Sequence, residues 1–324
     1  ILLNMLDISS NMLEVAGAPG LRYSDMSGFG PGVIGAMWFN MYWGLFSILS
    51  LMLAGALWNR GSSSSLMDRI AIMKKQVPKP FRIGIAVIAF AWVLVAGFVY
   101  YNTQVLNDYL TGDERELLAA DYEKKFKKYE GVDLPKITDI KYFIDIYPKK
   151  RDVYVKAIMK LTNETENPID SIHYNYDKNW EPEFLIPNSE MVFDDDYFDY
   201  RIYKISPAIE PGQTIEIEIK TKYISKGFEN EMGSTSVLEN GTFINNMAIL
   251  PSLGYNPGID LIDQNTRKKY DLAPKERMPK LEENCTASCM ANYLTDGHSD
   301  YINAETVIST SSDQMAIAPG SLIK

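Results

Sequence analysis

Two apolar stretches, residues 34–57 and 83–101, flank a short basic loop, and a long acidic region follows them. No other feature constrains the fold as strongly. Each stretch is long enough to cross the hydrocarbon core of a bilayer as a helix. The first holds nine Leu, Ile and Phe residues and no charge. At about −0.3 to −0.6 kcal/mol each, those residues favour insertion by roughly 3 to 5 kcal/mol. Asn40 opposes this from a position near one end. Trp38, Tyr42, Trp43 and Trp58 lie towards the ends of the first stretch, and Phe81, Tyr100 and Tyr101 bound the second. Aromatic side chains at such positions match the belts that form at membrane–water interfaces.

The loop sets the expected orientation. Residues 59–82 carry six cations (Arg60, Arg69, Lys74, Lys75, Lys79 and Arg82) against the single anion Asp68. The positive-inside rule places such a loop in the cytoplasm. Residues 1–33 are then an extracytoplasmic lead-in, residues 34–101 are two transmembrane helices, and residues 102–324 lie outside the cytoplasm. Residues 1–101 have a net charge of +3 within a whole-chain charge of −10, which leaves −13 for the rest. A region that acidic argues against nucleic acid as a partner and against lying flat on anionic lipid. The first residues, Ile-Leu-Leu-Asn, contain neither an initiator Met nor a signal-peptide pattern. A helix entering from outside implies earlier membrane segments. The chain is therefore expected to be the C-terminal part of a longer polytopic protein, with residues beyond both ends.

Residues 105–130 have helical spacing in Leu117, Leu118, Tyr122, Phe126 and Tyr129, with Thr111 ahead of the acidic Asp113-Glu114 as an N-cap. Gly131 and Pro135 end this pattern, so residues 102–135 read as a helical stalk. From residue 136 the period changes to two. Strands are expected at 137–147, 153–163, 171–176, 197–205, 214–225, 242–250 and 304–318, separated by turn clusters such as EPGQ at 210–213 and ENG at 239–241. The expected fold is thus a membrane α part plus an all-β domain, an antiparallel sandwich or saddle over residues 136–324. Residues 261–294 break the pattern and read as a long loop or short helices.

The order of several short motifs resembles a known family. Tyr101-Asn-Thr-Gln-Val-Leu-Asn follows the last apolar stretch, and then come a charged helix, IKYFIDIYP at 140–148, NGTF at 240–243, LPSLGY at 250–255, ERMP at 276–279 and DQMAIAPG at 313–320. This series resembles bacterial, especially Bacteroidetes-type, membrane proteins in which an export-type ABC permease is fused to a zinc aminopeptidase of the aminopeptidase N family. The resemblance covers the last two permease helices and the N-terminal β domain of the peptidase. It implies an inner-membrane location with a periplasmic β domain, and zinc in a catalytic domain beyond residue 324. It further implies an ABC ATPase subunit and a peptide substrate as partners besides the lipid bilayer, and a homo-oligomer or larger membrane complex. In that family the zinc site is an H-E-x-x-H helix and a G-x-M-E-N-type strand binds the substrate amine. Neither motif occurs here, so no catalytic residue, metal ligand or cofactor is assigned to this chain. The family's amine-binding loop corresponds to FINNM at 243–247, which makes Asn246 the substrate-binding candidate.

Other constellations carry weaker chemistry. Cys285 and Cys289 are spaced so that one helical turn could bring them together. They read as a local disulfide or as two free thiols. A zinc set that adds His298 and Asp300 would need a spacing that is not standard for zinc. His173 and His298 each lack a His partner four residues away. Asp194, Asp195, Asp196 and Asp199 form an acidic cluster without the EF-hand pattern, and a solvated turn explains them. Glu181, Glu183, Glu282 and Glu283 read as surface charge. The sequons at Asn163, Asn240 and Asn284 are chance matches in a bacterial protein.

Overall fold

A computed structural model describes residues 10–25, 28–30, 32–58, 77–180, 182–231, 233–234, 236–245, 249–275, 284 and 299–323. The chain divides into two compact units, residues 1–112 with 226–235, and residues 113–225 with 236–324.

The first unit is built on two helices long and apolar enough to cross a membrane, α1 (Gly32–Leu57) and α2 (Lys79–Tyr100). α1 has no acidic residue in its first turn and no basic residue in its last, as expected of a helix that is apolar all round. Pro78 caps α2 and a proline lies in its first turn, where the missing N–H is not needed and φ is already helical. Lys79 and Arg82, read in the sequence as loop cations, belong to that first turn; residues 59–76 lie outside the described residues. Aromatic side chains hold the helices together: Trp38 meets Phe98 at 4.4 Å between ring centroids, and Tyr42 stacks on Trp92 at 5.6 Å. The far faces, including Leu51, Val87, Phe90 and Leu94, are exposed.

α2 continues as one widened π-turn, Tyr101–Leu106. There Asn102 Nδ2 donates to the Phe98 carbonyl and Thr103 Oγ1 to the Val99 carbonyl, both at 2.9 Å. Side chains that bond back four residues compete with the backbone ladder and loosen a helix end. At Asn107 the backbone becomes extended. The Asn107 side chain donates to the Asn102 carbonyl (3.0 Å) and to the carbonyls of Lys226 (2.9 Å) and Phe228 (3.2 Å). The helix expected over 105–130 is therefore interrupted and resumes as α3 (Gly112–Phe126). Residues 226–231 form a strap in this unit, with Phe228 packed among Phe39, Tyr42 and Val99.

The second unit has two sheets. The five-stranded sheet has the order β11-β1-β2-β7-β4, and the four-stranded sheet β10-β3-β6-β5. The strands are β1 (Lys136–Tyr147), β2 (Asp152–Thr162), β3 (Ile169–Asn175), β4 (Glu183–Leu185), β5 (Ser189–Asp195), β6 (Tyr200–Ile209), β7 (Thr214–Tyr223), β10 (Ser252–Leu253) and β11 (Ser299–Ser309); a separate hairpin joins β8 (Val237–Leu238) to β9 (Gly241–Thr242). Alternation sends Val153, Val155, Ala157, Met159 and Leu161 of β2, and Ile217 and Ile219 of β7, into one core with Ile172, Tyr174, Ile205 and Ile209 of the other sheet. Each large aliphatic chain buried this fully contributes about 1.5–3 kcal/mol.

Several expectations need correction. β11 pairs with β1 in parallel, so the five-stranded sheet is mixed rather than antiparallel. Parallel neighbours need a long connection, and residues 148–298 lie between β1 and β11. Among the described residues of the strand expected at 242–250, only Thr242 lies in a strand, β9, which pairs within its own hairpin. Residues 310–323 form no strand. Residues 197–199 are turn, with Asp199 at φ 54°, so β6 starts at Tyr200. β5 takes in Asp194 and Asp195, which the sequence suggested were turn.

α3 buries Tyr122 and Phe126 against Tyr200, Ile202 and Tyr255, and its Glu123 forms a buried bidentate pair with Arg267 of α4 (Gln264–Lys269), 2.8 Å for each bond. It is thus an integral helix of the second unit over those residues.

Candidate binding groove

The second unit carries an open groove of about 900 Å³. That size is within the usual range for ligand sites. Period-two alternation explains one wall: β2 and β7 turn Val155 and Ile219 inward and thereby turn Lys156, Lys220 and Lys222 outward into the groove, beside Phe143 and Tyr154. Lys156 pairs with Glu218 at 2.7 Å, and Lys220 lies 3.7 Å from Glu183.

The opposite wall is organised by Arg201, near the start of β6. Cross-strand register places Asp194 opposite Arg201. Arg201 Nε donates to Asp194 at 2.8 Å and a terminal nitrogen to Asp196 at 3.4 Å. Its guanidinium lies over the Tyr176 ring at 4.6 Å. Tyr176 donates its hydroxyl to Asp196 at 3.2 Å. Burial raises the Tyr176 pKa above the ordinary tyrosine range, although the nearby Arg201 charge opposes this. Burial likewise pushes Asp199 up to about 6, outweighing the Lys178 backbone N–H and ammonium. The groove thus offers cations, the carboxylates of Asp145, Glu183, Asp196 and Asp199, and aromatic faces, a mixed lining that suits an extended polar segment.

Among the described residues, the groove's lining contains no histidine or cysteine. His173 is buried away from it: Nδ1 lies 3.0 Å from the Tyr200 hydroxyl, its ring meets Tyr129 edge-on, and burial pushes its pKa down to about 4. Among the described residues, no three His, Cys, Asp or Glu side chains gather where they could hold a metal ion. The acidic cluster is dispersed instead: Asp194 binds Arg201, Asp195 binds Lys125, Asp196 binds Tyr176, and Asp199 accepts the Lys178 N–H at 3.4 Å. Asn246, Cys285, Cys289 and His298, together with Glu181, Glu282 and Glu283, lie outside the described residues. The Asn163 side chain is buried and fully bonded, donating to the Asn167 and Ile209 carbonyls at 2.8 and 2.7 Å, so this sequon serves a turn.

Arg201 and Tyr176 carry no motif that marks them in the sequence. The lysines lie in strands that the alternation marks, but their convergence depends on sheet register.

No protein-family model and no curated protein matches the sequence. Among solved structures, the chain is similar to an M1 zinc metallopeptidase from Deinococcus radiodurans, with 9% identity over 29% of this chain and 22% of that one and a TM-score of 0.22. A variant of that enzyme bound to a Tyr-Ser-Ala substrate matches at 10% identity, with the same coverage and TM-score. The match spans about a fifth of the length of those chains.

Proposed function

We propose that the chain is the membrane anchor and extracytoplasmic β module of a bacterial inner-membrane protein. The observation that carries this reading is the helix pair: α1 and α2 pack on each other through aromatic rings yet leave Leu51, Val87, Phe90 and Leu94 uncovered. Water disfavours an apolar surface of that length, whereas a bilayer accommodates it. The pair crosses as a hairpin, with the basic loop in the cytoplasm and the β module in the periplasm.

In the finer reading, the β module is the non-catalytic N-terminal lobe of a zinc aminopeptidase fused to an ABC permease. The ordered motifs from Tyr101 to Gly320 support it. The described residues do not fit zinc, so the metal belongs to a catalytic domain outside them, and no hydrolytic step is assigned to this chain. An ABC ATPase and a peptide substrate are the partners of that reading. A second reading is favoured by the groove itself: its charged side chains of both signs and its rings would hold a partner protein within a non-catalytic envelope complex.

The two readings separate on the native polypeptide captured with antibodies to the β module. A mass well above 36.7 kDa with bound zinc and aminopeptidase activity is expected of the first. A zinc-free polypeptide near 36.7 kDa would sink it and leave the second.

A further inference from the structure

We infer that residues 10–17 form a wedge seated in the headgroup–acyl boundary of the leaflet nearest the N-terminal end of α1, a lipid-binding surface additional to the two helices. The inference rests on the anchor reading. α1 has 26 residues and is about 39 Å long at 1.5 Å per residue. A hydrocarbon core of about 30 Å takes roughly 20 of those residues. Counted back from the end of α1 at Leu57, those roughly 20 residues begin at Trp38, whose ring meets Phe98 at 4.4 Å; an aromatic pair at that position is assigned to the membrane–water interface.

The lead-in reaches past that boundary. Pro19 rests against Gly35, where an added Cβ would lie 3.2 Å from the proline Cγ. Further back along the chain, Trp43 Nε1 donates to the Asn11 carbonyl at 3.0 Å, and the Tyr42 hydroxyl to the Met12 carbonyl at 3.3 Å. Between Pro19 and Asn11 the segment therefore descends beside α1 from the level of Gly35 to that of Trp43, about 12 Å. Its lower end lies about 7 Å beyond Trp38, within the 5–10 Å depth typical of interfacial elements.

Part of the segment's backbone is satisfied internally, which lowers the cost of placing irregular backbone at a lipid boundary. The N–H groups of Leu13 and Glu14 donate to the Ser10 carbonyl at 2.9 and 3.1 Å, and Gly17 N–H to the Glu14 carbonyl at 2.8 Å. Asn11 N–H donates to Asn230 Oδ1 at 3.0 Å, and its side-chain amide to the Asn230 carbonyl. Leu13 (52% exposed) and Val15 (81%) turn outward with the exposed Glu14 between them, a mix of apolar and charged side chains that suits the headgroup boundary rather than the acyl core. This outward surface continues the exposed faces of the helices, and the occupant to which we assign it is lipid.

The test uses the full chain with Cys285→Ser and Cys289→Ser, carrying one environment-sensitive fluorophore at a time. Labels go on Val15→Cys, Leu13→Cys, Phe90→Cys or Tyr197→Cys, in vesicles of phosphatidylethanolamine and phosphatidylglycerol. At positions 13 and 15, blue-shifted emission is expected, with several-fold weaker iodide quenching than at position 197. A nitroxide high on the acyl chain should quench these positions more than one near the chain end, and position 90 should show the reverse preference. Iodide quenching at both 13 and 15 equal to that at 197 overturns the inference. So does shielding of both from iodide and nitroxides alike, which would mean a protein cover. If position 90 is in lipid, such failures count against the wedge alone; if position 90 is in water, the anchor reading fails and the wedge with it.

Discussion

Arg267 is a charge committed to structure. It donates to both Glu123 oxygens and to the carbonyls of Leu261 and Ala273, with both side chains of the ion pair almost wholly buried. Removing one member of such a pair strands the other, at a cost of about 3–5 kcal/mol. Arg267→Met should lower the stability of the β module by that amount in urea unfolding, and adding Glu123→Leu should restore most of it. Titration of Asp199 and His173 acts in opposite senses. The folded state holds a proton on Asp199 up to about pH 6, whereas the unfolded chain releases it near the ordinary 3.8; stability from this site therefore falls as pH rises from about 4 to 6. Folded His173 resists protonation down to about pH 4, whereas the unfolded chain protonates near 6.5, so its contribution grows with pH over that range. Asp199→Asn, which tolerates the left-handed backbone, should make stability rise more steeply with pH between about 4 and 6. An unchanged slope would show that Asp199 is an ordinary carboxylate.

Two turns hold their elements through single residues. Asn163 joins the end of β2 to the end of β6, and Asn163→Ala leaves the Ile209 carbonyl without this donor. A loss of about 2–3 kcal/mol in unfolding free energy is expected. In the strap, Gly227 sits at φ +49° and an added Cβ would lie 2.1 Å from Asn102 Oδ1. Gly227→Ala should therefore free the strap and raise its cleavage by protease. Gly233→Ala, with φ +75° but its nearest neighbour at 3.5 Å, should raise cleavage far less. Elements with strong periodicity were legible in the sequence: β7 alternates Ile with charge from Thr214 onward, and β2 buries every second residue. β5 was not, because it is an edge strand whose Glu190, Met191 and Val192 are all exposed, so no buried face imposes an alternation. The parallel pairing of β11 was hidden for another reason: nothing local to residues 299–309 specifies a partner some 160 residues earlier. The groove shared that fate, since Arg201 gains its role from Tyr176 and Asp194 only once β3, β5 and β6 are in register.

At the scale of the whole molecule, the charge distribution and the helix pair support the proposed topology, a hairpin across the bilayer with its basic loop on one side and the β module on the other. The peptidase assignment adds to that claim and can fail without it. The most direct measurement is labelling with a membrane-impermeant maleimide on spheroplasts, using the Cys285→Ser, Cys289→Ser chain with one cysteine at Ser63→Cys in the basic loop or at Tyr197→Cys in the β module. The account predicts labelling at position 197 on intact spheroplasts, and labelling at position 63 only after the membrane is permeabilised. Equal labelling of both positions on intact spheroplasts would contradict it.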